Sequence, residues 1–188
     1  MDLSALKKVP PQILRRRKQK ISRIFTVEEL LLKFSNGTTV CYEKICGGSG
    51  AVMCVPFDGT HFLFSVEYAC GLEGYTLGFV KGKIDDGETP EVAAIRELKE
   101  EIGFGANSLC KLRSGMRVAP GMLELCMHVF LCRDLYPCKL EGDEPEPIDI
   151  VKVSIEEAKA LLFDDNSPLT EARAIAALAL SLHKIGAI

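Results

Sequence analysis

Gly82-Lys83-Ile84-Asp85-Asp86-Gly87-Glu88-Thr89-Pro90-Glu91-Val92-Ala93-Ala94-Ile95-Arg96-Glu97-Leu98-Lys99-Glu100-Glu101-Ile102-Gly103-Phe104 reads as a loop, a helix and a helix exit. Thr89 suits an N-cap, Pro90 the first helical position and Gly103 the C-terminal exit. Placed at intervals of about 100°, Val92, Ile95, Leu98 and Ile102 share one side, as a helix packed on a sheet requires. Glu97, Glu100 and Glu101, spaced i, i+3 and i+4, fall on the opposite side. Glu88 joins them only if the loop folds back. Three glutamates on one face repel by roughly a few tenths of a kcal/mol per pair, and only Arg96 and Lys99 stand nearby to offset them. A divalent cation resolves the repulsion. Hard carboxylate oxygens with neither Cys nor His among them suit Mg²⁺ or Mn²⁺ rather than zinc. A solvated acidic helix face is the plain alternative for a lone cluster.

The surrounding pattern is far more specific. Gly82, Glu88, Arg96, Glu97, Leu98, Glu100, Glu101, Gly103 and Phe104 fill all nine specified positions, over 23 residues, of G-x5-E-x7-R-E-U-x-E-E-x-G-U, where U is bulky and apolar. On these residues the chain resembles the Nudix hydrolases. The resemblance implies an α/β fold, the Nudix α/β/α sandwich with a mixed sheet, and hydrolysis of a nucleoside diphosphate linked to another moiety. It further implies that Arg96 pairs with Glu88 and holds the carboxylates in place. Glu97 and Glu101, one helical turn apart, are then the first choice as metal ligands. Glu100 assists them, and the backbone carbonyl of Lys81 is a further ligand.

Beyond that motif, Phe34-Ser35-Asn36-Gly37, Gly103-Phe104-Gly105-Ala106-Asn107, Asp134-Leu135-Tyr136-Pro137 and Leu140-Glu141-Gly142-Asp143-Glu144-Pro145-Glu146-Pro147 resemble the bacterial ADP-compounds hydrolases of the NudE type. That branch acts on ADP-ribose, diadenosine polyphosphates and NADH and releases AMP. Pro120 lies where ADP-ribose pyrophosphatases carry a proline, sixteen residues after Phe104. The tryptophan-containing array of NADH-specific members is absent, the chain having no Trp. In the related ADP-ribose pyrophosphatases a D-E-x-E loop swings a glutamate toward the metals, and Asp143-Glu144-Pro145-Glu146 matches it. The resemblance thus makes Glu144 the candidate general base and Glu146 a further metal ligand, a solvated acidic loop being the alternative. One departure stands out. Many ADP-sugar hydrolases approach the motif as E-L-P-A-G, whereas this chain has Gly78-Phe79-Val80-Lys81-Gly82, without the acid. Tyr68 and Tyr75 are available to stack on adenine, core or rim packing being the other reading.

Outward from the helix, strand-like segments run from Ala51 to Phe57, His61 to Ala69, Leu123 to Cys132 and Asp149 to Ser154. Two closing helices are expected at Ile155 to Phe163 and, after Ser167-Pro168, Leu169 to His183. Strands interleaved with helices imply helices layered on a mixed sheet. Ahead of these, Phe25 to Phe34 and Thr38 to Ile45 flank Ser35-Asn36-Gly37, and Asn-Gly supplies the positive φ angles of a hairpin turn. Residues 1–46 are therefore expected as a basic segment and β-hairpin extension, and residues 47–188 as the hydrolase domain. A homodimer through the N-terminal strands is expected, as in related enzymes.

Composition sets the outer bounds. Of 188 residues, 47% are hydrophobic and 26% charged, enough apolar side chain for a core. The longest apolar run, Ala174 to Leu182, is far short of the about 20 residues a bilayer needs. No apolar stretch precedes Arg15-Arg16-Arg17-Lys18, so a secretory signal is not read there, and a cytoplasmic location is expected. Net charge is −3, which makes nucleic acid an unlikely partner beside a small nucleotide-linked substrate. Residues 1–24 nevertheless carry eight Lys/Arg against Asp2 alone, and a solvated, partly mobile N-terminus is expected. The eight cysteines form no C-x-x-C pair, and most sit within apolar strand-like segments and read as small core residues. Neither a P-loop nor G-x-G-x-x-G is present. Two rivals remain at this stage: a Nudix-fold regulator that binds ADP-ribose or NAD without turnover, and an RNA 5′-end pyrophosphohydrolase.

Overall fold

The structure, a computed structural model, describes Met1 and residues 3–188. They form two compact units, Met1–Gly48 with Ala119–Leu125, and Ser49–Val118 with Cys126–Ile188.

In the first unit a short 3₁₀ turn precedes three antiparallel strands in the order β1 (Gln12–Lys20), β2 (Thr26–Lys33) and β3 (Thr39–Ile45). The β2–β3 hairpin turns where Asn-Gly predicts, with Gly37 at φ 85° and its N–H donating to the Phe34 carbonyl at 2.9 Å. The basic segment is not a loose tail: Gln12–Lys20 is a strand along its whole length. Its alternation is invisible because every residue of it is exposed. The strand is set by pairing with β2, where Arg15 meets Glu29 at 2.9 Å and Arg16 meets Glu28 at 3.4 Å. Ala119–Leu125 also belongs to this unit, Ile45 bridging in parallel to Leu123. The strand expected from Leu123 accordingly begins only at Cys126.

The second unit carries two sheets. One has the order β7 (Val80–Lys83), β4 (Ala51–Pro56), β9 (Cys126–Pro137), β8 (Phe104–Arg117), with β4 and β9 parallel and the other pairs antiparallel. The other has the order β10 (Asp149–Ser154), β5 (His61–Ala69), β6 (Gly74–Gly78) and is antiparallel. The central strand β4 is buried at every residue, which explains its unbroken apolar run. Helix α1 (Pro90–Glu97), capped by the Thr89 hydroxyl, continues into a π-helical turn over Leu98–Ile102. Ala93, Ala94, Leu98 and Ile102 seal one face of the sheet with Val52, Cys54, Val80, Phe130 and Cys132. Helix α3 (Ala172–Lys184) also contacts β4 and β8, and α2 (Ile155–Phe163), whose Ser154–Glu157 capping box sets its start, contacts β5 and β10.

Two helix expectations change. Val92, expected in the core, is 55% exposed, while Ala93 and Ala94 are fully buried. Within the regular helix the buried face runs through Ala93, Ala94 and Glu97, so small side chains and a carboxylate, not the bulky apolar Val92, lie against the protein there. Helix α3 starts at Ala172 rather than Leu169, because Leu169 donates its N–H to the Ser167 hydroxyl at 3.1 Å in the turn that precedes the helix.

Candidate functional site

Three elements build the site. Strand β7 carries Lys81 and Gly82, the α1–π segment carries Arg96, Glu97, Glu100 and Glu101, and the loop after β9 carries Glu141, Asp143 and Glu144. All of them line one cavity of about 500 Å³. Arg96 organises it. Its guanidinium makes a bidentate pair with Glu88, both contacts at 2.9 Å, and reaches Glu97 at 2.7 Å, Glu100 at 2.9 Å and the Lys83 carbonyl at 2.9 Å. The loop folds back as that pairing requires, and Glu88 also accepts the Asp85 N–H at 3.0 Å. Hydrogen bonds from Arg96, and then from Asp85, hold the Glu88 carboxyl down at about 2.

The far end of the carboxylate helix is strapped by the segment that leads into the acidic loop. Leu140 donates its N–H to the Lys99 carbonyl at 3.0 Å, and Lys139 Nζ reaches the Glu100 carbonyl at 2.6 Å. A cation there satisfies carbonyls left open at a helix C-terminus. Gly142 lies so close to Glu100 that a Cβ would meet it at 3.3 Å. Glu144 is thereby brought to the same cavity as Glu97 and Glu101.

Glu146 is not. Its carboxylate accepts the Tyr75 hydroxyl at 2.7 Å and lies outside the residues that line this cavity. Tyr75 in turn meets Tyr68 edge to face at 5.8 Å. One participant escaped the sequence reading altogether. Glu67, on β5, binds Lys81 Nζ at 2.6 Å and accepts the Ser65 hydroxyl at 2.6 Å. Ser65 pairs with Gly78, the position where the E-L-P-A-G form of the motif carries its acid, so an acid stands near that place from a neighbouring strand. The signal available was a lone charge closing the run Phe62-Leu63-Phe64-Ser65-Val66, but no fixed spacing ties it to the helix.

Electrostatics distinguish the acids. Glu97 is 9% and Glu101 7% exposed. Burial raises the Glu97 carboxyl above its ordinary range. Burial first, then the charge of Glu67, pushes Glu101 up to about 9, and burial with Glu67 and Asp143 raises Glu144. Glu101 Oε2 is buried and finds no hydrogen-bond donor among the described residues. A divalent cation suits that donor set: an orphaned buried carboxylate oxygen beside a second buried carboxylate, all oxygen in character, with Lys81 already committed to Glu67. Glu97 and Glu100 turn to Arg96 rather than to a common point. Among the described residues only Glu28, Cys46 and Glu124 bring three ligand-type atoms within 4.8 Å of one another, and there Lys44 supplies the cation, 3.1 Å from Glu28 and 3.0 Å from Glu124.

The shift at Glu101 sets a pH dependence. Without metal its folded-state carboxyl titrates near 9 against the usual 4.5. Over that window the folded chain therefore holds a proton that the unfolded chain has lost. Stability of the metal-free protein falls as pH rises through the window, and a cation must displace the proton to bind. Mn²⁺ affinity measured by titration calorimetry is expected to rise by up to about tenfold per pH unit between about pH 6 and 8, with a proton released per site. Flat affinity over that range would show Glu101 to be ionised already.

Comparison with known proteins agrees with this geometry. A NUDIX domain model matches residues 49–173, and a NudE-type Nudix hydrolase N-terminal domain model matches residues 11–44. The chain is 46% identical over 160 residues to the ADP compounds hydrolase NudE of Escherichia coli (strain K12), covering 85% of this chain and 84% of that one. It is 33% identical over 117 residues to an ADP-ribose pyrophosphatase of Bacillus subtilis (strain 168), covering 61% and 62% of the two chains. A crystal structure of an ADP compounds hydrolase superposes with a TM-score of 0.87 at 43% identity, covering 96% of this chain and 98% of that one.

Proposed function

The chain belongs to the Nudix hydrolase family and is a pyrophosphatase of it, and from that premise we propose that it cleaves the pyrophosphate of ADP-linked compounds with Mg²⁺ as cofactor. ADP-ribose is the first substrate, with diadenosine polyphosphates and NADH as further members of the set and Mn²⁺ as a substitute ion. The observation that carries this reading is the convergence of Glu97, Glu101, Glu100 and Glu144 on one cavity around the Arg96 clamp.

A pyrophosphate is poly-anionic, and a wall of carboxylates repels it. Bound to Glu97 and Glu101, with Glu100 and the Lys81 carbonyl beside them, a divalent cation would neutralise phosphate oxygens and lower the pKa of the attacking water. The chain's own groups do the rest. Arg96 keeps Glu97 and Glu100 oriented. Glu144, whose raised affinity for protons suits a base, accepts the proton of the water as its oxygen attacks phosphorus. The P–O–P bridge breaks, its electron pair leaves with the departing phosphate, and the products are AMP and ribose 5-phosphate.

The same proposal includes residues 1–46 as an extension and 47–188 as the hydrolase domain, a cytoplasmic location, and a homodimer through the N-terminal strands. Ile13, Leu14, Val40 and Tyr42, apolar and exposed on those strands, support the dimer. Among the described residues no helix is long and apolar enough to cross a membrane. Chromatography of ADP-ribose incubated with the protein and Mg²⁺ is expected to give AMP and ribose 5-phosphate in equal amounts. Absence of AMP with ADP-ribose, NADH and diadenosine compounds alike would overturn the assignment.

A further inference from the structure

The sheet of the first unit has two hairpin turns of opposite character. The β2–β3 turn, Ser35-Asn36-Gly37, is polar, as suits a turn that faces solvent. The β1–β2 turn reads Ile21-Ser22-Arg23-Ile24-Phe25, and in it Ile21 is 57%, Ile24 64% and Phe25 45% exposed. A closed loop holds these side chains out. Phe25 donates its N–H to the Ser22 hydroxyl at 2.9 Å, and the Phe25 carbonyl accepts the N–H of Ile21 at 3.0 Å and that of Ser22 at 3.3 Å. Three apolar side chains gathered on one ordered tip mark a contact surface.

The charge around the tip says what it meets. Lys18, Lys20 and Arg23 flank it, all exposed, and none of the three has an ion-pair partner among the described residues. Further along the strand, Arg15 and Arg16 are by contrast paired with Glu29 and Glu28. Glu28, across from Lys18, is buried and also held by Lys44. From Leu3 to Phe25 the chain has eight Lys/Arg and no Asp/Glu. The tip therefore attracts anions. A single-stranded nucleic acid is matched by cations together with aromatic rings for its bases, and residues 1–24 contain no Phe, Tyr, Trp or His. Aliphatic side chains set among cations match the boundary between headgroups and acyl chains of an anionic bilayer, where Lys and Arg meet phosphate and Ile and Phe enter hydrocarbon. A second copy of the chain has other apolar residues to meet. Ile13 lies roughly 26 Å from Ile21 along an extended strand, and across a two-fold contact of the tips their cations would repel.

We propose that the β1–β2 tip docks the protein on the surface of an anionic phospholipid membrane, with Ile21, Ile24 and Phe25 inserting and Lys18, Lys20 and Arg23 meeting lipid phosphates. The contact lies on one face of the bilayer, and no segment spans it. Each cation brought to such a surface strengthens binding about fivefold, so three of them with apolar insertion make a reversible anchor. The proposal is independent of the pyrophosphatase reading.

The full chain is sedimented with vesicles of phosphatidylcholine alone and of equimolar phosphatidylcholine and phosphatidylglycerol. It is expected to partition onto the anionic vesicles at least about tenfold more strongly than onto the neutral ones, and added salt is expected to weaken that binding. Lys20→Gln with Arg23→Gln, and separately Ile21→Ser with Ile24→Ser, are each expected to lower the partition coefficient at least about tenfold while thermal unfolding is unchanged. Because the chain has no Trp, Phe25→Trp puts a single reporter at the tip, and its emission is expected to move to shorter wavelength with the anionic vesicles only. Equal binding to both vesicles, binding to neither, or an emission that anionic vesicles leave in place would overturn the proposal. Full binding by the doubly substituted Ile21→Ser, Ile24→Ser protein would reduce the contact to charge alone and overturn it too. Two further results give the tip to another occupant and refute the membrane: tighter binding of a single-stranded RNA oligomer through the same residues, or loss of a dimer on the Ile21→Ser, Ile24→Ser substitutions, read by light scattering without vesicles.

Discussion

Glu101→Gln is expected to lower the turnover of ADP-ribose by about 10³-fold or more under saturating Mg²⁺, with the fold retained. The side chain is nearly isosteric, so packing against the sheet is preserved. Its loss of charge matters only where a cation is to be held, since the buried carboxyl of the metal-free chain already carries a proton at neutral pH. The variant should therefore unfold no earlier than the unaltered protein when metal is absent, and later by a margin that grows from about pH 4.5 to 9, because its folded state need not take up a proton that the unfolded chain has lost. Calorimetric Mn²⁺ binding should weaken and lose its pH slope. Turnover near the original rate would remove Glu101 from the metal site.

How far the sequence was legible depends on the range of each interaction. The α1 segment announces itself because its cap, its exit glycine and its carboxylates lie within one continuous stretch, and local spacing determines which of them meet. Arg96 and Glu88 are eight residues apart and still local, and their bidentate contact follows from the loop closing on the helix. Strand β8 was hidden for the opposite reason. Its fourteen residues contain two register shifts against β9, and Gly115 sits at φ 66°, so no alternation survives along it. Strand β1 is all polar and exists through its partner. Glu67 reaches the site only because β5 pairs with β6 and lies beside Lys81, a relation fixed by sheet order and not by spacing. Glu146 shows how little spacing fixes in a loop: two residues from Glu144, it accepts the Tyr75 hydroxyl.

Gly82→Ala tests the packing of the site rather than its charges. A Cβ on Gly82 would coincide with the carboxyl group of Glu97. The strand has no room to retreat, because β7 is paired to β4 with Gly82 opposite Val52, and β4 is buried on both faces. The backbone of residue 82 is not in the left-handed region, so alanine is not strained for its own sake. What must move is the Glu97 side chain, out of its contact with Arg96 and away from its place beside Glu101. Overpacking of this kind costs about 2 kcal/mol of stability, and turnover of ADP-ribose is expected to fall about 10²-fold as a ligand is displaced. The two losses separate in a double-mutant cycle with Glu97→Ala. On the Glu97→Ala background the space is vacant, so adding Gly82→Ala should cost little further stability and no further activity. Full activity in the single variant Gly82→Ala, or a second penalty on the Glu97→Ala background, would show that the glycine is required for something other than the room it leaves the glutamate.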